Sequence, residues 1–198
     1  MIKNIIFDMG NVLFDYDPQV CLQRFCSSDR ERKIIQKELF EGPEWVMGDQ
    51  GMIAEKDKYD LVKKRVPQEM HPSLKRCAME WDICMVPLPG AEAFCDRLKE
   101  HGYRLFVLSN ASDSFYEYFP RLKPLDFFDG IVVSADVHII KPDLCIYQIL
   151  LEKYELNPAE CLFIDDRADN VQGARAAGMQ AEVFCQDYEA VRTKYQLF

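Results

Sequence analysis

Four short stretches of this chain set chemically able side chains directly behind apolar runs. Asp8 follows "IIF", Ser109 and Asn110 follow or close "FVL", Lys141 stands in "IIKPD", and Asp165 and Asp166 follow "LFI". Taken singly, each has a bland reading, because Asp and Ser commonly cap a following helix. Taken together they form a donor set. Three carboxylates brought close without a cation would raise one another's pKa values and cost stability, so Asp8, Asp165 and Asp166 argue for a bound metal. A lysine with hydroxyl and amide donors beside them would hold a small anion.

These residues must be positioned by elements that end where they begin. Residues 3–8, 103–109, 130–134, 161–165 and 181–184 are short apolar runs of the kind that buried parallel strands show. Helical patterns alternate with them: "PGAEAFCDRLKEHG" closes on Gly102, "KPDLCIYQILLEKY" begins with proline, and "ADNVQGARAAG" closes on Gly178. Alternation of this sort predicts an open α/β fold, a parallel sheet with helices on both faces, whose ligand crevice lies beyond the carboxyl ends of the strands. The four polar stretches fall at such ends and are predicted to converge. Residues 15–88 read as four or five short helices without a strand, a helical cap inserted into a core formed by 1–14 and 89–198. Asp17 before Pro18 is a favourable helix start within it.

With those residues in place, the chain resembles the haloacid dehalogenase-like hydrolase superfamily, helical-cap type. "FDMGNVLF" is similar to its first motif, "LSN" to its second, "KPD" to its third and "IDDRADN" to its fourth, so the likeness spans the whole chain. "FDxGNVL" in particular looks like phosphatases of small sugar phosphates, including the glucose-1-phosphate phosphatase group. The resemblance implies a Rossmann-like core and a magnesium-dependent phosphatase acting through an aspartyl phosphate. Asp8 is then the nucleophile, and Asp8, the Gly10 carbonyl and Asp166 are magnesium ligands, with Asp165 bound directly or through water. Lys141 and Ser109 serve catalysis and substrate binding, and the Asn110 backbone adds a further donor to the phosphate. Asn170 orients Asp166 or Lys141.

One position departs from the pattern. Many of these phosphatases carry a second aspartate two residues after the nucleophile as general acid and base, and here that position is Gly10. Asp15 and Asp17 follow closely but read as surface and N-cap residues. The alternatives are a 2-haloacid dehalogenase, which needs neither metal nor paired acids, and a noncatalytic protein that keeps the phosphate crevice; a phosphomutase would want a strong acid beside Asp8. In the cap, Trp45, Met47, Tyr59 and Trp81 read mainly as packing. Trp45 in "EWVMGDQG" is the one most expected at the site, with Gly51 turning the chain. His71, His101 and His138 do not form a metal set.

The net charge of −9 opposes binding to nucleic acid or an anionic membrane. A small phosphorylated metabolite is the expected partner, and no oligomer is specified by the pattern. Eight cysteines without CxxC spacing read as buried free thiols. The start of the chain lacks a signal peptide's apolar centre, and no apolar run reaches the roughly 18 residues of a membrane span, so a cytoplasmic location is expected.

Overall fold

The computed structural model describes residues 1–198. Seven strands occur in chain order: β1 (Asn4–Phe7), β2 (Phe14–Tyr16), β3 (Met85–Pro87), β4 (Arg104–Ser109), β5 (Gly130–Val133), β6 (Cys161–Asp165) and β7 (Gln180–Val183). Five of them form a parallel sheet in the order β5-β4-β1-β6-β7. β1 lies in its centre, paired in register with β4 (Ile5 beside Leu105) and with β6 (Ile5 beside Leu162). Asp8, at the end of β1, and Asp165, at the end of β6, are therefore brought side by side, and Ser109 closes the strand on the other flank.

Eleven α-helices are α1 (Pro18–Phe25), α2 (Asp29–Ile35), α3 (Pro43–Asp49), α4 (Lys58–Val62), α5 (His71–Met79), α6 (Ala91–Glu100), α7 (Phe115–Tyr118), α8 (Ser134–Val137), α9 (Leu144–Lys153), α10 (Ala168–Ala176) and α11 (Tyr188–Tyr195). Strand alternation decides which cover which face. Ile6, Phe106 and Phe163 pack with Ile146, Tyr147 and Val171 of α9 and α10. Ile5, Phe7, Val107 and Ile164 point the other way, onto Phe94 and Leu98 of α6 and Val191 of α11. Both faces are covered, which is why every residue of β1 is buried. No helix is long and apolar enough to cross a membrane.

The segment between β1 and β4 departs from expectation in one respect. It is largely helical, but β2 and β3 form an antiparallel pair, Phe14 beside Pro87 and Tyr16 beside Met85. Each has three residues, too few for a period-2 pattern to register in the sequence. The pair ties the two ends of the helical insert together where the chain leaves and re-enters the core.

The turn after β1 places Asn11 at φ 54°, a left-handed conformation that Asn tolerates. Two smaller readings are also corrected. α9 begins at Leu144, after the proline, because Asp143 caps it by accepting from the Cys145 amide at 2.9 Å. Cys145 and Cys185 are exposed, while the other six cysteines are buried free thiols. Cys145 occupies the outer side of α9, where an apolar neighbourhood in sequence does not mean burial in space.

Candidate active site

β1, β6 and the loop before α9 converge on a buried charge cluster. Lys141 Nζ lies 2.8 Å from Asp8 Oδ1 and 2.7 Å from Asp165 Oδ2, with the lysine 3%, Asp8 8% and Asp165 0% exposed. Burial pushes the Asp8 carboxyl up to about 7; Lys141 pulls against the rise and Asp165 adds to it. Burial also works against charge on Lys141, but Asp8 and Asp165 outweigh it and hold the ammonium above the ordinary lysine range.

Asp165 has its own scaffold. Asn170, in the first turn of α10, donates Nδ2 to both carboxylate oxygens at 3.0 Å, and the Arg167 amide donates to Oδ1 at 2.9 Å. Asn170 thus orients Asp165, where the sequence pointed to Asp166 or Lys141. Asp166 faces outward and accepts from Asn11 Nδ2 at 3.0 Å. The same Asn11 accepts from the Tyr16 amide at 3.3 Å, so the left-handed turn links the end of β1 to the strand that enters the cap.

Asn110 clamps the Lys141 loop. Its Oδ1 accepts from the Lys141 amide at 2.8 Å, and its Nδ2 donates to the Lys141 carbonyl at 3.0 Å. Ser109 ends β4 at 1% exposure, and its hydroxyl is a buried polar atom with no hydrogen-bond partner in the protein. Such an atom is costly unless a ligand or neighbour satisfies it. From this loop the cavity is lined by Asn110, Ala111 and Ser112.

The cavity above the cluster measures about 560 Å³. Its floor holds Asp8, Gly10, Asn11, Lys141 and Asp166; its cap side holds Tyr16, Trp45, Asp49, Lys58 and Trp81. Trp45 reaches the cavity as expected from "EWVMGDQG", and Trp81 does so as well, although aromatics there read as packing. Both also pack: their ring centroids are 5.1 Å apart in a T-shaped pair, and Trp45 stands 5.2 Å from Phe40. Lys58 is buried, with Nζ 4.1 Å over the Trp45 ring and 2.8 Å from Glu55 Oε2. Tyr59 and Met47 do not line the cavity. His138 is exposed, its Nδ1 2.9 Å from the Gln50 carbonyl, and Asp17 caps α1 by accepting from the Gln19 amide at 2.9 Å. Asp15 is exposed. Sequence reading missed Asn11, Asp49, Lys58 and Tyr118 as lining residues; Asn11 is hidden in the turn after Asp8, and the other three lie in segments whose pattern matches any helical surface.

One carboxylate oxygen from each of Asp8, Asp165 and Asp166 lies within 4.8 Å of the other two. An all-oxygen set of this size, with a carbonyl available at Gly10 and open space on its side-chain face, fits a hard divalent cation.

The sequence model of the haloacid dehalogenase-like hydrolases matches residues 2–178. The sesquiterpene phosphatase astK of Aspergillus oryzae is 29% identical over 89% of this chain and 87% of its own length. A phosphorylated carbohydrates phosphatase of Thermotoga maritima is 28% identical over 89% of this chain and 82% of its own. Among solved structures, an aspartate-to-alanine variant of a HAD family enzyme from Bacteroides thetaiotaomicron, in complex with magnesium and inorganic phosphate, superposes with a TM-score of 0.77. It is 20% identical, and the match covers 96% of this chain and 99% of that one, a likeness of fold.

Proposed function

The chain belongs to the haloacid dehalogenase-like hydrolases, and from that premise we propose that it is a magnesium-dependent phosphatase of a small phosphorylated metabolite, working through an aspartyl phosphate on Asp8. Its phosphatase relatives support the reaction class. The observation that carries it is the Lys141 bridge between Asp8 and Asp165, with Asp166 completing a three-carboxylate cluster on the cavity floor.

In this reading Asp8, the Gly10 carbonyl and Asp166 would hold the cation, with Asp165 beside them, its oxygens serving Lys141, Asn170 and the Arg167 amide. When bound, magnesium neutralises phosphate charge and holds the phosphoryl group for in-line attack. The other Asp8 oxygen attacks phosphorus, and the P–O bond to the leaving group breaks. Lys141 balances the incoming negative charge, and Ser109 Oγ and the loop amides after it supply donors to the phosphoryl oxygens. Water then cleaves the aspartyl phosphate.

The insert, expected as residues 15–88, acts as a cap that selects the alcohol and limits water. Rings on the cap side, Tyr16, Trp45 and Trp81, give flat apolar area, while Asp49 and Lys58 offer polar contacts. A sugar phosphate fits both, its C–H face on the rings and its hydroxyls on Asp49 and Lys58. The clustered acids disfavour a dehalogenase, whose displacement at carbon needs neither metal nor paired acids.

Turnover of p-nitrophenyl phosphate tests the reaction: release of phosphate should require magnesium and vanish in Asp8→Asn. Release of halide from 2-haloacids without metal, or undiminished phosphate release by Asp8→Asn, would overturn it. A panel of sugar phosphates beside prenyl phosphates tests the substrate, with the sugar phosphates expected to give the larger kcat/KM.

A further inference from the structure

We propose that Asp49, standing on the cap side of the cavity, is the general acid and base of the reaction that Asp8 begins, supplying from α3 the carboxylate that Gly10 does not. The inference rests on the phosphatase reading above and assigns a proton carrier that the floor of the site lacks.

The floor offers no such group. Asn11 and Asn110 hold no transferable proton at neutral pH. Lys141 is held charged between two carboxylates, and Asp166 is engaged by Asn11 in the cation cluster. Asp15 points to solvent and Asp17 caps α1. Apart from the cluster carboxylates Asp8 and Asp166, Asp49 is the one carboxylate lining the cavity.

Its position is fixed to the core. The Asp49 carbonyl accepts from Ser134 Oγ, and that oxygen also accepts from the Ala111 amide at 3.0 Å, so the end of α3 is fastened to the loop that carries Asn110. The next turn is fastened as well. Gly51, at φ 66°, sits so close to the Ala135 carbonyl that a Cβ would come within 2.2 Å of it, and His138 Nδ1 meets the Gln50 carbonyl. The Asp49 carboxylate itself makes no hydrogen bond to the protein and is half-buried at the cavity wall.

Its surroundings suit proton exchange. Burial pushes the carboxyl up to about 7, with Lys58 lowering it and Glu55 raising it. Tyr16 and Tyr118 also face it, and their hydroxyls are driven far above neutrality by burial and by the Asp49 charge, so neither competes for the role. A group titrating near the working pH is the most effective acid-base catalyst.

The proton account closes. As the Asp8 oxygen bonds to phosphorus, the P–O bond to the leaving group breaks and the departing oxygen takes the proton of Asp49. The Asp49 carboxylate then removes a proton from water as the water oxygen attacks phosphorus. The bond from phosphorus to the Asp8 oxygen breaks, inorganic phosphate leaves, and Asp49 is again protonated.

The test pairs two leaving groups on the magnesium-loaded enzyme. With an alkyl phosphate, whose alkoxide must be protonated to leave, Asp49→Asn should lower kcat by about 10² to 10⁴-fold. With p-nitrophenyl phosphate, which leaves unprotonated, the variant should release one equivalent of p-nitrophenol per site at the wild-type rate and then turn over slowly, because the second step has lost its base. Asp49→Glu should restore part of both rates. In the wild type the alkyl phosphate rate should fall as pH rises through about 7, a reading that does not depend on the variant's folding. Equal kcat for Asp49→Asn and wild type on both substrates, or an equal loss in the p-nitrophenol burst and in alkyl phosphate turnover, would overturn the assignment. A wild type with no magnesium-dependent turnover would instead overturn the phosphatase reading on which it stands.

Discussion

Asn110 and Lys141, 31 residues apart in sequence, are joined by a reciprocal pair of hydrogen bonds, amide side chain to main chain, at 2.8 and 3.0 Å. The pair fixes the backbone from which the Lys141 ammonium reaches Asp8 and Asp165. Asn110 serves as a positioning residue for that charge through its side chain, while its backbone amide is free to face the cavity.

Asn110→Ala removes both bonds and frees the Lys141 loop. Two lost hydrogen bonds of about 1 kcal/mol each correspond to roughly a 10 to 30-fold fall in kcat if the lysine drifts from its carboxylates. KM should change less, because the loop amide remains. Asn110→Asp keeps the acceptor and loses the donor, so its kcat should fall between the two. Steady-state kinetics of the three proteins, with thermal melts as control, check this; equal kcat throughout would remove the positioning role.

Lys141→Met leaves two buried carboxylates facing each other with no cation between them. Breaking a buried ion pair on one side costs about 3–5 kcal/mol, or roughly 10 °C in Tm for a chain of this size. Phosphate release should fall below detection. Added magnesium should raise the Tm of the variant more than that of the wild type, because the variant has more unbalanced negative charge to gain from a cation. Calorimetry with and without magnesium reads both effects.

Gly173, in α10, is the close-approach point between that helix and the Lys141 loop. A Cβ there would come 2.9 Å from the Pro142 carbonyl and 2.8 Å from the Tyr147 ring. Elsewhere in a helix Gly→Ala gains about 0.5–1 kcal/mol. Here Gly173→Ala should lower Tm, and it should lower kcat by several-fold more than that instability explains, because the residue that must yield is next to Lys141. Kinetics well below Tm separate the two.

The core was legible because burial on both faces writes an unmistakable signature: the runs around Ile5, Phe106 and Phe163 are apolar at every position, and each ends at a polar group the site uses. The approach of Asp8 to Asp165 then follows from parallel register alone, whereas Lys141 arrives on the loop between α8 and α9. The cap was less legible. β2 and β3 are three residues long, and their pairing is nonlocal, so no pattern within either announces the other. Asp49 reads as an ordinary polar residue at a helix end; it shares its cavity wall with Tyr16 and Tyr118, which are far from one another in sequence. Asn170 stands beside Asp165, and which partner it takes depends on the rotation of α10, which spacing does not specify.

The Asp49 carboxyl also makes folding stability depend on pH in a predictable direction. Burial raises it from 3.8 to about 7, so between those values the folded chain keeps a proton that the unfolded chain has released. The native state binding more protons means that stability falls as pH rises through this window, and above about 7 the full cost is present. That cost is at most about 4 kcal/mol, reduced by Lys58 and by the water that meets the cavity-facing edge of the group. Glu55 works in the same sense as burial, and Tyr16 and Tyr118 stay neutral across the window. Asp49→Asn keeps the shape and removes the titration, so the variant should match the wild type near pH 4 and exceed its Tm by a few degrees at pH 8. Asp8 titrates in both proteins and cancels in the difference. Paired melts from pH 4 to pH 8 measure it, and a Tm difference that stays flat, or that narrows toward pH 8, would show that Asp49 is not held protonated in the folded chain.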